Sequence, residues 1–135
     1  MRFAAAVLSR RLLPIAVFWL AAGAGAAGAR TTQDGVYTES QAAEGRRVHA
    51  RHCARCHEPG YYQGSFLSAW QSVPLATLYD VIELKMPEDA PGSLRPDEYA
   101  AVLAWVLALN GLPAGERKLP HDREALARIR IDLGE

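Results

Sequence analysis

The stretch Cys53-Ala54-Arg55-Cys56-His57 decides how the rest of this chain is interpreted, because it holds both cysteines of the sequence. The cysteines are three positions apart, and a histidine follows the second one directly. Three kinds of chemistry use such a pattern: a redox-active disulfide, half of a metal site, and the covalent attachment of a haem. The sequence on either side of the motif has to distinguish between them.

The residues before the motif predict a helix that runs into it. Thr38 and Gln41 have the spacing of a capping box, and residues 39–56 read ESQAAEGRRVHARHCARC. The narrow apolar face of this helix consists of Ala42, Gly45, Val48 and His49, followed by Cys53. The motif therefore closes a helix instead of following a strand.

This setting favours haem attachment over the other two chemistries. A thioredoxin-like redox motif opens a helix after a strand, whereas this chain has no clear strand signal. A zinc site needs two further ligands, and a plain structural disulfide gives His57 no role. On a helical turn, by contrast, Cys53 and Cys56 put both sulfurs on one side, where they can reach the two vinyl groups of a haem, and His57 projects towards the iron. The only histidines available as zinc ligands are His49, His52, His57 and His121.

A haem iron has a second axial face, and Met86 is the best candidate ligand for it. Apart from Met1 it is the only methionine in the sequence, and it lies in the irregular segment KMPEDAPG, where no apolar periodicity calls for a core residue. Pro87 stiffens the loop directly after it. A methionine that only fills an apolar gap is the alternative, and His121 in the charged tail is the competing ligand.

The remaining pattern predicts an all-α fold of three to four helices with long loops. Residues 66–70 form a short apolar turn or helix, residues 75–82 an amphipathic helix, and residues 96–109 the clearest helix in the chain, which Asn110 and Gly111 end. A further short helix is expected over residues 122–130. We expect no strands and no repeats.

The two ends of the chain are predicted to lie outside this domain. Residues 1–29 have the arginines, apolar run and small-residue cleavage site of a signal peptide, which predicts export to the periplasm. Residues 30–39 are a polar, loose leader, residues 40–118 the domain itself, and residues 119–135 a C-terminal extension. The apolar run is too short and too broken for a membrane span, so none is expected in the mature form; a signal that stays uncleaved as an anchor is the alternative. The mature form's formal charge of about −3 does not favour nucleic-acid binding.

Three segments together resemble the single-haem class I cytochrome c fold: GRRVHARHCARCH, KMP and PDEYAAVLAWVLALNG. The stretch MPEDAPGSLRPDEYAAVLAWVLALNGLPAGE is similar to small periplasmic cytochromes that serve quinoprotein dehydrogenases. The resemblance covers roughly residues 41–118, and it is specific for the haem and much less specific for the partner. It implies a small cytochrome c fold wrapped around one covalently bound haem c.

The resemblance also implies roles for individual residues. Cys53 and Cys56 would be the thioether anchors and His57 and Met86 the axial pair, while Gly45 would let the last helix cross closely, near Val102 and Trp105. Two positions depart from the family pattern: His49 stands where an aromatic residue is usual, and the only proline shortly after the haem histidine is Pro59. The carbonyl that would accept the His57 ring N–H is therefore not assigned.

With both axial positions filled, the function expected is one-electron transfer and not catalysis. The expected partners are redox proteins, with a quinoprotein dehydrogenase as donor and an oxidase or another cytochrome as acceptor. The exposed haem edge would lie beside a local basic patch of Arg46, Arg47, Arg51 and Arg55, or these arginines are only a solvated helix face. Tyr61, Tyr62 and Trp70 either line the pocket or belong to the core.

Two other functions stay open from the sequence. One is a haem-bearing docking subunit of a larger dehydrogenase or oxidase complex, with the leader and the charged tail as contact segments. The other is a haem enzyme or sensor, such as a peroxidase, in which Met86 is labile.

Overall fold

The computed structural model describes residues 30–134 and shows a mostly helical domain. The predicted signal peptide lies outside the described residues. The five α-helices of the described part are α1 (Glu39–His52), α2 (Ser65–Ser68), α3 (Leu75–Lys85), α4 (Pro96–Leu109) and α5 (Arg123–Ala127). Two short 3-10 turns lie at Thr32–Asp34 and Pro59–Tyr62. The all-α prediction is confirmed, and the count exceeds the predicted three to four because α2 and α5 both form, each as little more than a single turn.

Helices α1 and α4 begin where their local signals predict, and α1 ends at His52, before the CARCH residues. The Thr38 side chain accepts a hydrogen bond from the Gln41 backbone N–H at 3.2 Å, so it caps α1. The other hydrogen bond of a capping box, from the Thr38 backbone N–H to the Gln41 side chain, does not form. The Gln41 side chain instead reaches the C-terminal extension, called the tail below. It donates to the Leu119 carbonyl at 2.9 Å and accepts from the Leu119 N–H at 2.7 Å. Helix α4 starts with Pro96 and ends at Asn110, and Gly111 follows with a φ of 77°.

The crossing of α1 and α4 forms the centre of the domain, and Gly45 makes it possible. A Cβ atom at Gly45 would lie 1.8 Å from the Ala101 carbonyl oxygen and 2.9 Å from the Trp105 Cβ. Glycine is therefore required for the two backbones to approach this closely. The close crossing expected at Gly45 is present, and its contacts fall on Ala101 and Trp105.

The expectation of a loose N-terminal leader is wrong. Val36 and Tyr37 are buried in the core, and the Tyr37 hydroxyl donates to the Leu112 carbonyl at 2.5 Å. The hydroxyl of Thr32, fully buried, donates to the Asp132 carbonyl at 2.6 Å and accepts from its N–H at 2.8 Å. The segment is polar on average, so its composition does not indicate this packing. Its apolar side chains are nevertheless buried, and the buried hydroxyl has both a donor and an acceptor partner.

The expectation of no strands is also wrong in one small respect. Strand β1 (Arg30–Thr31) pairs in parallel with β2 (Ile129–Arg130), so the leader and the C-terminal extension meet. The extension contributes Leu126, Ile129 and Ile131 to the core, all at most 1% exposed. Parallel pairing of segments so distant in sequence has no local signal. Among residues 30–134, no helix combines the length and apolar character that a membrane crossing requires.

Candidate functional site

The CARCH motif forms a helical turn at the end of α1, as predicted. The Cys53 N–H donates to the His49 carbonyl at 2.8 Å, and the His57 N–H donates to the Cys53 carbonyl at 2.9 Å. Cys53 is partly buried and Cys56 is exposed, and their sulfurs are not bonded to each other. Burial raises the pKa of the Cys53 thiol. The motif follows α1 and not a strand, which is not the setting of a thioredoxin-like redox disulfide.

A cavity of about 300 Å³ opens beside the motif. Cys53, Cys56, His57 and Met86 all line it, so the fold brings together the four side chains proposed for the haem. Its walls are mostly apolar and come from α2, the turn that follows it, α3 and α4: Phe66, Trp70, Leu78, Val81, Ile82, Val102 and Val106. Two thiols, an imidazole and a thioether around an apolar cavity fit a covalently held haem. They do not fit zinc, because residues 30–134 contain no cluster of three or more histidine, cysteine or acidic side chains arranged for a metal.

Met86 directly follows the last turn of α3, and two hydrogen bonds hold its backbone N–H and carbonyl there. Its N–H donates to the Ile82 carbonyl at 2.8 Å, and its own carbonyl accepts from the Tyr99 hydroxyl at 2.7 Å. The competing ligand His121 does not line this cavity. It lies in a separate surface depression with Gln41 and Leu119.

The role of Tyr99 was missed by the sequence analysis. Tyr99 is buried on α4, and its hydroxyl reaches the Met86 loop. The signal that could have found it is the hydroxyl itself, because a buried tyrosine O–H nearly always has a partner. Burial raises the pKa of Tyr99, so this hydroxyl stays a donor at neutral pH.

Two tyrosine rings lie near the His57 ring. The turn that begins at Pro59 places the Tyr61 ring 4.8 Å from the His57 ring, centroid to centroid, and the Tyr62 ring at 5.9 Å. Tyr61, Tyr62 and Trp70 all line the cavity, and Tyr62 is also part of the core. Burial raises the pKa of Tyr62 above its usual range. These rings restrict the space that the imidazole can occupy.

His49 fills the aromatic position of the helix crossing. It is 3% exposed, and its ring lies 4.4 Å from the Trp105 ring and 5.4 Å from the Tyr62 ring. Its Nε2 atom is buried without a hydrogen-bond partner among the described residues. Burial is the main cause that lowers the pKa of His49. The histidine therefore packs as a neutral ring, and the crossing stays largely apolar.

The arginines beside the motif are mostly neutralised by neighbouring carboxylates. Arg47 pairs with Glu44, and the Arg51 guanidinium lies 3.8 Å from the same carboxylate. Arg55, which lies between the two cysteines, pairs with Asp89 of the Met86 loop at 2.8 Å. Only the Arg55–Asp89 pair lines the cavity, whereas Arg47 and Glu44 line the separate depression that contains His121. These ion pairs make the field of the predicted basic patch weaker than four free arginines would give.

The comparisons with known proteins identify the same part of the chain. Residues 40–106 match the family model described as cytochrome C oxidase, cbb3-type, subunit III. The match begins at the first turn of α1, spans the motif and Met86, and ends within α4. Neither the curated proteins nor the solved structures compared with the chain give a match.

Proposed function

Because the chain belongs to the c-type cytochromes, with its cytochrome domain at residues 40–106, we propose that it is a periplasmic one-electron carrier with a single haem c. Membership establishes the coarser function: the protein is a haem-based electron-transfer module that exchanges electrons with redox partners, and it is not an enzyme. The proposal adds the ligands, the number of haems and the compartment. It rests above all on the one cavity that Cys53, Cys56, His57 and Met86 line together.

In this proposal each of the four side chains has a separate task. Cys53 and Cys56 would hold the haem through thioether bonds, and His57 and Met86 would be the ligands of its iron. When bound, the haem supplies an iron that alternates between the Fe(II) and Fe(III) states. A single CxxCH motif supports a single haem.

The surroundings of the site favour a high reduction potential. The thioether of Met86 is a soft ligand that stabilises the reduced state. The apolar walls act in the same direction, because they solvate the extra charge of the oxidised state poorly. Tyr99 holds the Met86 backbone in place, which supports a stable ligand and not a labile one. This geometry favours a carrier over the peroxidase or sensor alternative.

The docking-subunit alternative is not favoured. It relied on the leader and the tail as free contact segments, whereas both pack into the core of this chain. For the partners, we propose a quinoprotein dehydrogenase as donor and an oxidase or another cytochrome as acceptor. The description of the matched family, which names an oxidase subunit, is compatible with the second part. The periplasmic location rests on the signal-like residues 1–29.

Optical spectra of the haem-loaded protein test the ligand assignment. We expect a low-spin spectrum with the weak near-infrared band of methionine–Fe(III) coordination. Met86→Ala should lose this band and bind cyanide and carbon monoxide readily, because it opens an axial position. His121→Ala is the control and should keep the wild-type spectrum, since His121 lies in another depression. A Met86→Ala spectrum identical to that of the wild type would overturn the assignment.

A further inference from the structure

Helix α3 has two faces with different partners. Leu78, Val81, Ile82 and Lys85 line the cavity, and the chain reaches Met86 directly after the last turn. Asp80 and Glu83 lie on the opposite face, and Arg123 at the start of α5 contacts both of them. Its Nε donates to the Asp80 carboxylate at 2.6 Å, and its Nη2 pairs with Glu83.

The tail also packs on α3 through apolar side chains. Leu126 of α5 is fully buried, and Ile129 and Ile131 follow it into the same core. The Arg123 guanidinium carbon lies 5.9 Å from the centre of the Tyr79 ring, which is itself buried on α3. A short helix such as α5 is not stable alone, so its packing against α3 is what keeps it in place.

The N-terminal end of α3 is held by the same segment. Ser72 has a φ of 65°, a left-handed conformation that few residues other than glycine adopt. Its N–H donates to the Ile131 carbonyl at 2.7 Å, and its carbonyl accepts from the Arg130 guanidinium at 2.8 Å. The Ile131 N–H donates to the Val73 carbonyl at 2.9 Å. The tail thus stabilises an unusual backbone turn two residues before the Pro74 cap of α3.

The tail is in turn anchored to the rest of the domain, so it can resist movement of α3. Strand β2 pairs with β1 of the leader, and Gln41 of α1 holds Leu119 by two hydrogen bonds. The loop that connects α3 to α4, by contrast, is irregular and mostly exposed. On the side away from the cavity, the tail is therefore the main support of the helix that positions Met86.

We propose that residues 119–133 brace α3 against the domain and thereby hold the Met86 sulfur at the haem, with Arg123 and Leu126 as positioning residues. This inference rests on the proposed function, in which Met86 is an axial ligand. Neither residue lines the cavity, so each acts through α3. A loosened tail lets α3 move and increases the fraction of time that Met86 is detached, which opens the position to an external ligand.

The test measures cyanide binding to the full-length, haem-loaded ferric protein, together with its near-infrared methionine band and its reduction potential. Leu126→Ala should bind cyanide about tenfold faster than the wild type or more, because detachment of the ligand limits the rate. Arg123→Ala should bind it about threefold faster, since its ion pairs are partly exposed to solvent. Both should show a weaker band and a lower potential, since the thioether that favours the reduced state is bound less of the time.

Two control variants separate this effect from a general loss of stability. Leu107→Ala removes an equally buried leucine of α4 that does not line the cavity. Arg128→Ala removes an exposed arginine of the tail that pairs only with Glu124 among the described residues. Both should bind cyanide at the wild-type rate, even though Leu107→Ala lowers the unfolding temperature.

The outcomes distinguish failure of the brace from failure of the ligand assignment. If Met86→Ala removes the band but Arg123→Ala and Leu126→Ala bind cyanide like the wild type, the brace is refuted and Met86 stays the ligand. An equal acceleration in Leu107→Ala also refutes it, because the effect is then one of general stability. If the wild type lacks the band, the proposed function itself fails. Arg123→Ala changes only an exposed side chain, so it decides the question even if Leu126→Ala does not fold.

Discussion

Replacement of Gly45 by alanine tests whether the α1–α4 crossing sets the frame of the haem site. The added Cβ atom would lie 1.8 Å from the Ala101 carbonyl oxygen, whereas ordinary contacts begin at 3.4 Å. The two helices must therefore separate by about 1.6 Å at this point. The obstacle is backbone and cannot rotate away, so the cost lies at the upper end of the overpacking range, about 3 kcal/mol.

Alanine also brings a benefit that has to be subtracted. It stabilises a helix interior relative to glycine by about 1 kcal/mol, which leaves a net loss of about 2 kcal/mol in the free energy of unfolding. For a domain of this size, such a loss lowers the melting temperature by roughly 8–16 °C. Thermal unfolding of the haem-loaded variant, followed by circular dichroism, measures this shift.

Gly60 provides the matched control for this experiment. A Cβ atom there meets nothing within 4 Å, and its φ is not in the left-handed region. Gly60→Ala should therefore change the stability by at most about 0.5 kcal/mol. If Gly45→Ala melts at the same temperature as Gly60→Ala, the close approach is not required and our account of the crossing is incorrect.

Three further predictions concern the rest of the domain. Burial lowers the pKa of His49 below its ordinary value of 6.5, so the unfolded chain binds more protons than the folded one. The folded state therefore loses stability as the pH falls below about 6.5. His49→Phe should flatten this part of the profile of melting temperature against pH. Gly115→Ala should destabilise the contact between the leader and the loop after α4 by about 2 kcal/mol, because its Cβ would lie 2.0 Å from the Gly35 carbonyl oxygen, and an unchanged denaturation midpoint would contradict this. Arg55→Ala should leave the melting temperature of the haem-loaded protein nearly unchanged, since its ion pair with Asp89 is exposed to solvent, and a clear fall in that temperature would contradict this.

Much of the site could be predicted from the sequence because its signals are local. The CARCH motif forms the expected helical turn, and the starts of α1 and α4 follow from Thr38 and Pro96. The expected closeness of Met86 to the motif depends on folding, yet the sequence still indicated it, because only one methionine follows the predicted signal peptide.

The packing of the two ends could not be predicted in the same way. Residues 30–39 and 119–135 are polar on average, and their composition suggested a leader and an extension outside the core. The structure buries Val36, Tyr37 and Leu126 and pairs the ends in a small sheet. These contacts join residues about a hundred positions apart, such as Thr32 and Asp132, and no local pattern carries that information.

The sequence by itself thus determined the chemistry of this protein: a haem-attachment motif, a candidate second ligand and the helices that carry them. Those features depend on spacing along one turn and on caps at helix ends, which neighbouring residues control. Only the tertiary structure decided which contacts surround the candidate second ligand: the Tyr99 hydroxyl at the Met86 carbonyl, and the Arg123–Asp80 ion pair on the far face of α3. Such contacts arise when distant segments bury their apolar surfaces together, so they are a property of the whole packed domain.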